Sequence, residues 1–219
     1  VSAKIVLASG SPRRIELMRA AGLDFEFVPS GIDERPPERL GPLRHVRWAA
    51  RAKAEAVARR RPDAVIVGAD TEVVLAGRIF GKPASPRQAQ EFLRALSGRT
   101  HQVYTAVQVI APGRACSGVS RTHVTMRELS GRTIAAYVRT GEAQDKAGAY
   151  AIQGEGRRLV RSIQGPHDNV VGMPIRLLSR LLSECGVPVT AKSPDGLQHD
   201  VTAQTRRLPR RPTVGAARR

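Results

Sequence analysis

The sequence predicts an α/β protein, a mixed sheet flanked by helices, and three observations carry that expectation. Short runs rich in Val and Ile, at 5–8, 65–67 and 101–110, have the composition and length of strands. Segments with apolar residues at helical spacing, at 43–61, 85–96 and 174–185, alternate with them. No stretch repeats another, which leaves one mixed α/β domain as the expectation.

Taken in order, Ile5-Val6-Leu7-Ala8 leads through Ser9-Gly10-Ser11-Pro12-Arg13-Arg14 into a helix over 15–21. A strand, a small polar turn and a helix opening at a proline form an anion site, because the first N–H groups of a helix lack partners and its dipole favours negative charge. Arg13 and Arg14 add two forks suited to phosphate. The alternative is a capped helix carrying two exposed arginines. The Walker pattern GxxxxGK[ST] is absent. Gly22 closes the helix, and Phe25-Glu26-Phe27-Val28 alternates like a strand. The stretch 30–42 reads as a loop; its Asp33-Glu34 pair offers oxygen ligands to a divalent cation or is simply solvated. The helix over 43–61 follows, with Val46, Ala49, Ala50, Ala54 and Val57 near one stripe and Lys53 on or beside it. A lysine there either snorkels to water or reaches inward to a phosphate.

The stretch 64–83, AVIVGADTEVVLAGRIFGKP, is the centre of the chain. An apolar run delivers Asp70 through Gly68 and Ala69, residues small enough for close backbone approach. Thr71, a second run at 73–75, a turn at Ala76-Gly77 and Gly81-Lys82-Pro83 then read as a hairpin with an acid at one end and an ammonium at the other. Asp70 and Lys82 are expected to meet one substrate. The competing reading is a capping Asp and a solvated Lys.

Ser85-Pro86 opens the next helix, and 101–110 pairs with an antiparallel strand over 119–126 across Pro112-Gly113. His101, at that strand's start, is expected to be a hydrogen-bonded structural residue. A short helix covers 133–139. The small-residue stretch 141–154 carries Lys146 and Gln153, a cation and an amide able to read a base edge. The segment 165–172 reads as a loop, and 174–185 as the closing helix.

Composition bounds the class. The 219 residues are 41% hydrophobic, enough for a substantial core. Neither a membrane span nor a secretory leader is indicated, so no membrane partner and a cytoplasmic location are expected. The two cysteines, Cys116 and Cys185, lack metal-ligand spacing and read as buried or incidental thiols. The formal charge of +17 raises nucleic-acid binding, but the body's arginines are scattered over helix faces. Residues 1–187 are expected to form the domain. From 188 onward Pro, Arg, Thr and Gly dominate without apolar periodicity, which predicts a disordered basic tail able to make weak nucleic-acid contact. Only five lysines occur, Lys4, Lys53, Lys82, Lys146 and Lys192, so a lysine marks a place where a compact charge is wanted.

Several stretches together resemble a known family: LASGSPRR at 7–14, IDE at 32–34, ARAKA at 50–54, GADT with GKP, SGRTHQVYT at 97–105 and DKAGAYAIQG at 145–154 are similar to the Maf family of nucleoside triphosphate pyrophosphatases, in order over about 4–186. The AYAIQG segment resembles the branch acting on dTTP and UTP. The resemblance implies a Maf/inosine triphosphatase-like fold with a substrate cleft between two lobes. It also implies hydrolysis of dTTP, UTP or modified pyrimidine triphosphates to monophosphate and pyrophosphate, with help from Mg²⁺ or Mn²⁺, and a homodimer. By motif matching, Asp70 is the proton acceptor and touches the metal, Glu34 assists the metal, Ser11, Arg14, Lys53 and Lys82 grip phosphates, and Arg13, Thr71 and Gln153 set base preference. The alternative is a nucleic-acid-binding or division-regulating protein built on the same fold. Glu72, Ala106, Ala143 and Ala151 depart from the usual pattern. Glu72 is expected to point away from Asp70, with a mild effect.

Overall fold

A computed structural model describes residues 4–36 and 38–188. The basic tail assigned by sequence therefore lies, after Pro188, outside the described residues. Strands β1 (Ile5–Leu7), β2 (Phe25–Phe27), β3 (Val65–Leu75), β4 (Arg78–Phe80), β5 (Thr100–Ala111), β6 (Arg114–Met126) and β7 (Val160–Gln164) form one mixed sheet in the order β2-β1-β3-β5-β6-β7, with β4 hydrogen-bonded to β3. β1 runs parallel to β2 and β3; the remaining pairs are antiparallel. The helices are α1 (Pro12–Ala20), α2 (Pro42–Ala58), α3 (Pro86–Leu96), α4 (Gly131–Arg139), α5 (His167–Val171) and α6 (Ile175–Glu184). None of the described helices is long and apolar enough to cross a membrane.

Local chemistry explains the turns. Ala76 and Gly77 both have positive φ, 49° and 78°, the geometry of a two-residue hairpin turn whose twist matches its strands, and Leu75 pairs with Arg78 across it. The Ser85 side chain caps α3 by accepting from the Gln88 N–H at 3.2 Å, while Gln88 reaches back to the Ala84 N–H at 2.6 Å, a reciprocal box behind Pro86.

β3 is one continuous central strand, so Asp70 lies mid-strand and not at a strand end. Its alternation divides the molecule. Val65, Val67, Ala69 and Val73 join the large core with α1, α3, α4 and α6. Ile66 packs under α2 with Ala54 and Val57, and Val46 and Ala50 of α2 pack on Ala106 of β5. Gly68 is what allows this contact: a Cβ there would stand 2.3 Å from the Ala50 carbonyl oxygen and 2.8 Å from the Ala54 Cβ. The glycine thus sets how closely α2 approaches β3, and with it the position of Lys53.

Some elements differ from expectation. β6 begins at Arg114, because pairing with β5 continues down to the Pro112-Gly113 turn. α2 ends at Ala58 and α1 already begins at Pro12. The 165–172 segment contains the short helix α5, and β7 joins the sheet edge beside β6. Glu72 is the clearest correction. A strand's side chains alternate with a period of two, so Glu72 returns to the face of Asp70 and lies buried beneath α2 instead of pointing away.

Candidate active site

The site grows from β3 and the two segments that flank it. Asp70 is buried, and its Oδ1 accepts a hydrogen bond from Lys53 Nζ at 2.7 Å. The same ammonium reaches Glu34 Oε2 at 2.9 Å. Lys53 therefore turns inward instead of snorkelling: one lysine from α2 gathers a carboxylate from the central strand and one from the β2–α2 loop. Burial works to raise the Glu34 carboxyl, but the Lys53 bond and the charges of Lys53, Lys82 and Arg14 outweigh it and hold the group below its usual range. Lys82 is exposed just after β4. Its charge is felt at Glu34, while the ammonium paired directly with Asp70 is that of Lys53.

Beside this cluster stands Glu72, whose Oε1 is hydrogen-bonded to His45 Nδ1 of α2. Its other oxygen is buried without a hydrogen-bond partner. Burial, then the neighbouring Asp70 charge, push the Glu72 carboxyl up to about 8 against the pull of Lys53. Nothing in the spacing of the chain signals His45; only the fold pairs it with Glu72.

The opposite face of β3 holds the arginine end. Thr71 Oγ1 accepts from Arg14 Nη2 at 3.2 Å and is 3.0 Å from Thr105 Oγ1 of β5. Arg14 also donates to the Gly172 carbonyl at 2.9 Å and to Ser9 Oγ at 3.2 Å, so three anchors fix the plane of its guanidinium. Ser9 is buried; it sits inside the serine-rich turn but was not singled out by sequence reasoning. Ser11 is the N-cap residue of α1, yet its side chain makes no capping bond, leaving its hydroxyl and the first turn of α1 as donors at the end of β1. Arg13 pairs with Asp145 at 3.3 Å, which links α1 to the small-residue stretch. Asp145 also pairs with Lys146, and neither role was signalled beyond the motif itself.

That stretch is docked firmly. The Gly148 N–H donates to the Gly81 carbonyl at 3.1 Å, and with φ of 72° the residue packs against Val73, where a Cβ would come within 3.0 Å. Gln153 follows, exposed, as the residue capping a 3₁₀ turn over Gly154–Leu159. Its backbone is framed on both sides: the Ala151 N–H donates to Tyr137 Oη at 3.0 Å, and Glu142 accepts from the Glu155 and Gly156 N–H groups at 3.2 and 2.9 Å. His101, by contrast, is buried with Nε2 2.7 Å from Tyr150 Oη, and burial lowers it to about 4, a structural residue as expected.

The structure thus joins Asp70, Lys53 and Glu34 directly, and ties Arg14 to Thr71 on the other face. Lys82, Arg13, Ser11 and Gln153 are contributed by the segments around them. Among the described residues no three His, Cys, Asp or Glu side chains form a metal cage. Glu34 and Asp70 nonetheless bring two hard oxygen donors together on the Lys53 ammonium, in reach of the charges of Lys82 and Arg14.

The chain is similar to known proteins over most of its length. The family described as Maf-like protein matches residues 4–185. A dTTP/UTP pyrophosphatase of Moorella thermoacetica is 52% identical over 188 residues, covering 85% of this chain and 97% of that protein. A dTTP/UTP pyrophosphatase of Deinococcus radiodurans is 47% identical over 184 residues, covering 84% and 94%. Among solved structures, the Staphylococcus aureus Ham1 protein aligns with a TM-score of 0.48 at 15% identity, covering 83% of this chain and 98% of that one.

Proposed function

The chain belongs to the Maf family, and on that premise we propose that it is a nucleoside triphosphate pyrophosphatase that cleaves dTTP and UTP, or modified pyrimidine triphosphates, to the monophosphate and pyrophosphate. The observation that carries the reading is the Lys53 bridge between Asp70 and Glu34, set beside an anchored Arg14. The bridge orients Asp70 as a proton acceptor. Water deprotonated by Asp70 attacks the α-phosphorus, the bond from that phosphorus to its bridging oxygen breaks, and pyrophosphate departs. Arg14, Lys82, Lys53 and the donors at Ser11 neutralise the charge growing on the leaving group. Arg13, Thr71 and Gln153 set base preference; the fixed backbone around Gln153 supports that role for its exposed amide.

Glu34 and Asp70 suit Mg²⁺ or Mn²⁺ shared with phosphate oxygens, since these cations are held through one or two carboxylates plus substrate. Glu34 and Asp70 would hold it, and it would supply Lewis-acid stabilisation of the phosphoryl oxygens. A cytoplasmic location, a homodimer and weak salt-sensitive contact of the basic tail with polyanions belong to the same reading. The test is a nucleotide panel with Mg²⁺ and Mn²⁺ and separate detection of pyrophosphate and orthophosphate. Pyrophosphate from dTTP or UTP is expected; orthophosphate, or no turnover with any nucleotide, overturns the proposal.

A further inference from the structure

α2 packs on β3 and β5 and leaves much of β6 open on its side of the sheet. Directly opposed strand residues share a face, and Ala106, which packs on Val46 and Ala50 of α2, stands opposite Val119. On that same face Tyr104 stands opposite Arg121, and Gln108 opposite Ser117. Arg121 and Ser117 are exposed, and Tyr104 and Val119 are half-buried. Between this strip and α2 runs an open groove of about 520 Å³, walled on the helix side by Arg47, Trp48 and Arg51. Arg47 is exposed; Arg51 is held by its Nε on Glu55 Oε1 at 2.6 Å, and Glu55 adds an acid to the wall. Trp48 is half-buried, its ring centroid 6.1 Å from that of His45. Arginines scattered in the sequence are thus gathered beside aromatic rings, and none of the residues walling the groove belongs to the Asp70, Lys53 and Glu34 cluster.

We propose that this groove binds single-stranded nucleic acid, with a base stacked on Trp48 and the sugar–phosphate backbone passing Arg47, Arg51 and Arg121. Aromatic rings accept the face of any base and arginine forks accept phosphate, the combination that single-strand surfaces use. Charge selects the occupant, since a second copy of this +17 chain would set arginines against arginines. The rings favour bases over an acidic peptide, which offers charge without stacking faces. The strip from Ile110 to Tyr104 runs for about 20 Å at ~3.4 Å per residue, longer than one nucleotide.

Trp48 is the only tryptophan of the chain, so its emission reports on the groove. The full chain is titrated with a dT oligomer of about 12 nucleotides, within the range that single-strand surfaces occupy. Its ends are hydroxyls, so it holds no anhydride to cleave and the result stands apart from the pyrophosphatase reading. Quenching is expected at low salt and is expected to weaken steeply as salt is added. By anisotropy of the labelled oligomer, Trp48→Ala is expected to weaken binding about tenfold. Arg121→Ala is expected to lower the salt slope by about one and leave dTTP turnover unchanged. Arg121 is exposed, so this variant keeps the test open if Trp48→Ala misfolds. Absence of quenching, or binding unchanged in both variants, overturns the proposal. Quenching by dTMP as strong as by the oligomer overturns it in favour of a mononucleotide site. Quenching by polyglutamate, or emission that changes with protein concentration alone, overturns it in favour of a protein partner or a second copy.

Discussion

Glu72 shares a face of β3 with Asp70, and His45 of α2 is hydrogen-bonded to it beneath the helix that also supplies Lys53. Two carboxylates and a histidine thus share the covered side of the strand with a single ammonium, and they differ in environment. Asp70 has Lys53 as a direct partner at 2.7 Å, whereas one oxygen of Glu72 has none. Burial and the neighbouring Asp70 charge make a negative charge on Glu72 costly.

That intolerance predicts a pH dependence of stability. Glu72 moves from an ordinary 4.5 to about 8 in the folded chain. Between those values the folded chain keeps a proton that the unfolded chain has released, so stability falls as pH rises through the window. His45, Asp70 and Lys53 face the group from α2 and β3. Denaturant titrations of wild type are expected to lose on the order of 2 kcal/mol from pH 5 to pH 8 that Glu72→Gln does not lose. A parallel decline in the variant would assign the slope elsewhere.

Asp70→Asn is expected to lower kcat roughly a hundredfold or more while the chain stays folded, since the amide cannot take a proton from water. Lys53→Met is expected to lower turnover as well and to cost about 3 kcal/mol, because it leaves the buried Asp70 carboxylate without its partner. If Asp70→Asn turns over like wild type, Asp70 is not the base. Circular dichroism and denaturant midpoints separate the catalytic loss from the structural one.

Gly68→Ala tests the helix-to-strand spacing. The added methyl would stand 2.3 Å from the Ala50 carbonyl, a backbone atom that can yield only by moving α2. A loss of about 3 kcal/mol is expected. Because the same helix carries Lys53, kcat is expected to fall in whatever fraction of the protein remains folded. Gly77→Ala, at a turn with open space around it, is the control that separates backbone strain from collision.

How much of this could be read from sequence depends on whether a feature is local. The 73–80 hairpin was legible because Ala76-Gly77 and the flanking Val and Ile runs are adjacent in the chain, and the α3 cap was legible from Ser85-Pro86. Lys53 was legible as a candidate from its place on an apolar stripe, but not its choice of Asp70 over a solvent path, which needs the close approach that Gly68 permits. The alternation of β3 itself puts Glu72, two residues on, on the face of Asp70, whereas its His45 partner comes from a different element. β7, with Arg161, Ser162 and Gln164 at a sheet edge, carries too little apolar periodicity to stand out.

Gln153→Glu is expected to change base preference and leave folding alone. The side chain is exposed, and the turn beneath it is held by Tyr137 and Glu142 through backbone groups that the substitution does not touch. Relative kcat/KM for dTTP, UTP and CTP is the measurement. An unchanged ratio removes Gln153 from base selection.

Arg14→Lys isolates geometry from charge. The guanidinium donates to the Gly172 carbonyl, Ser9 Oγ and Thr71 Oγ1 at 2.9, 3.2 and 3.2 Å, three directions that a planar fork satisfies and an ammonium on a shorter reach does not. The positive charge survives, so electrostatic attraction of the polyphosphate is largely kept. What is lost is the fixed orientation across from β3, and with it the alignment of the triphosphate. KM for dTTP is expected to rise about tenfold with a smaller fall in kcat, since the contact acts on bound substrate as well as on the transition state. A variant with unchanged KM would mean that Arg14 serves the fold, joining α1 to α5, and that the phosphates are held by Ser11, Lys53 and Lys82.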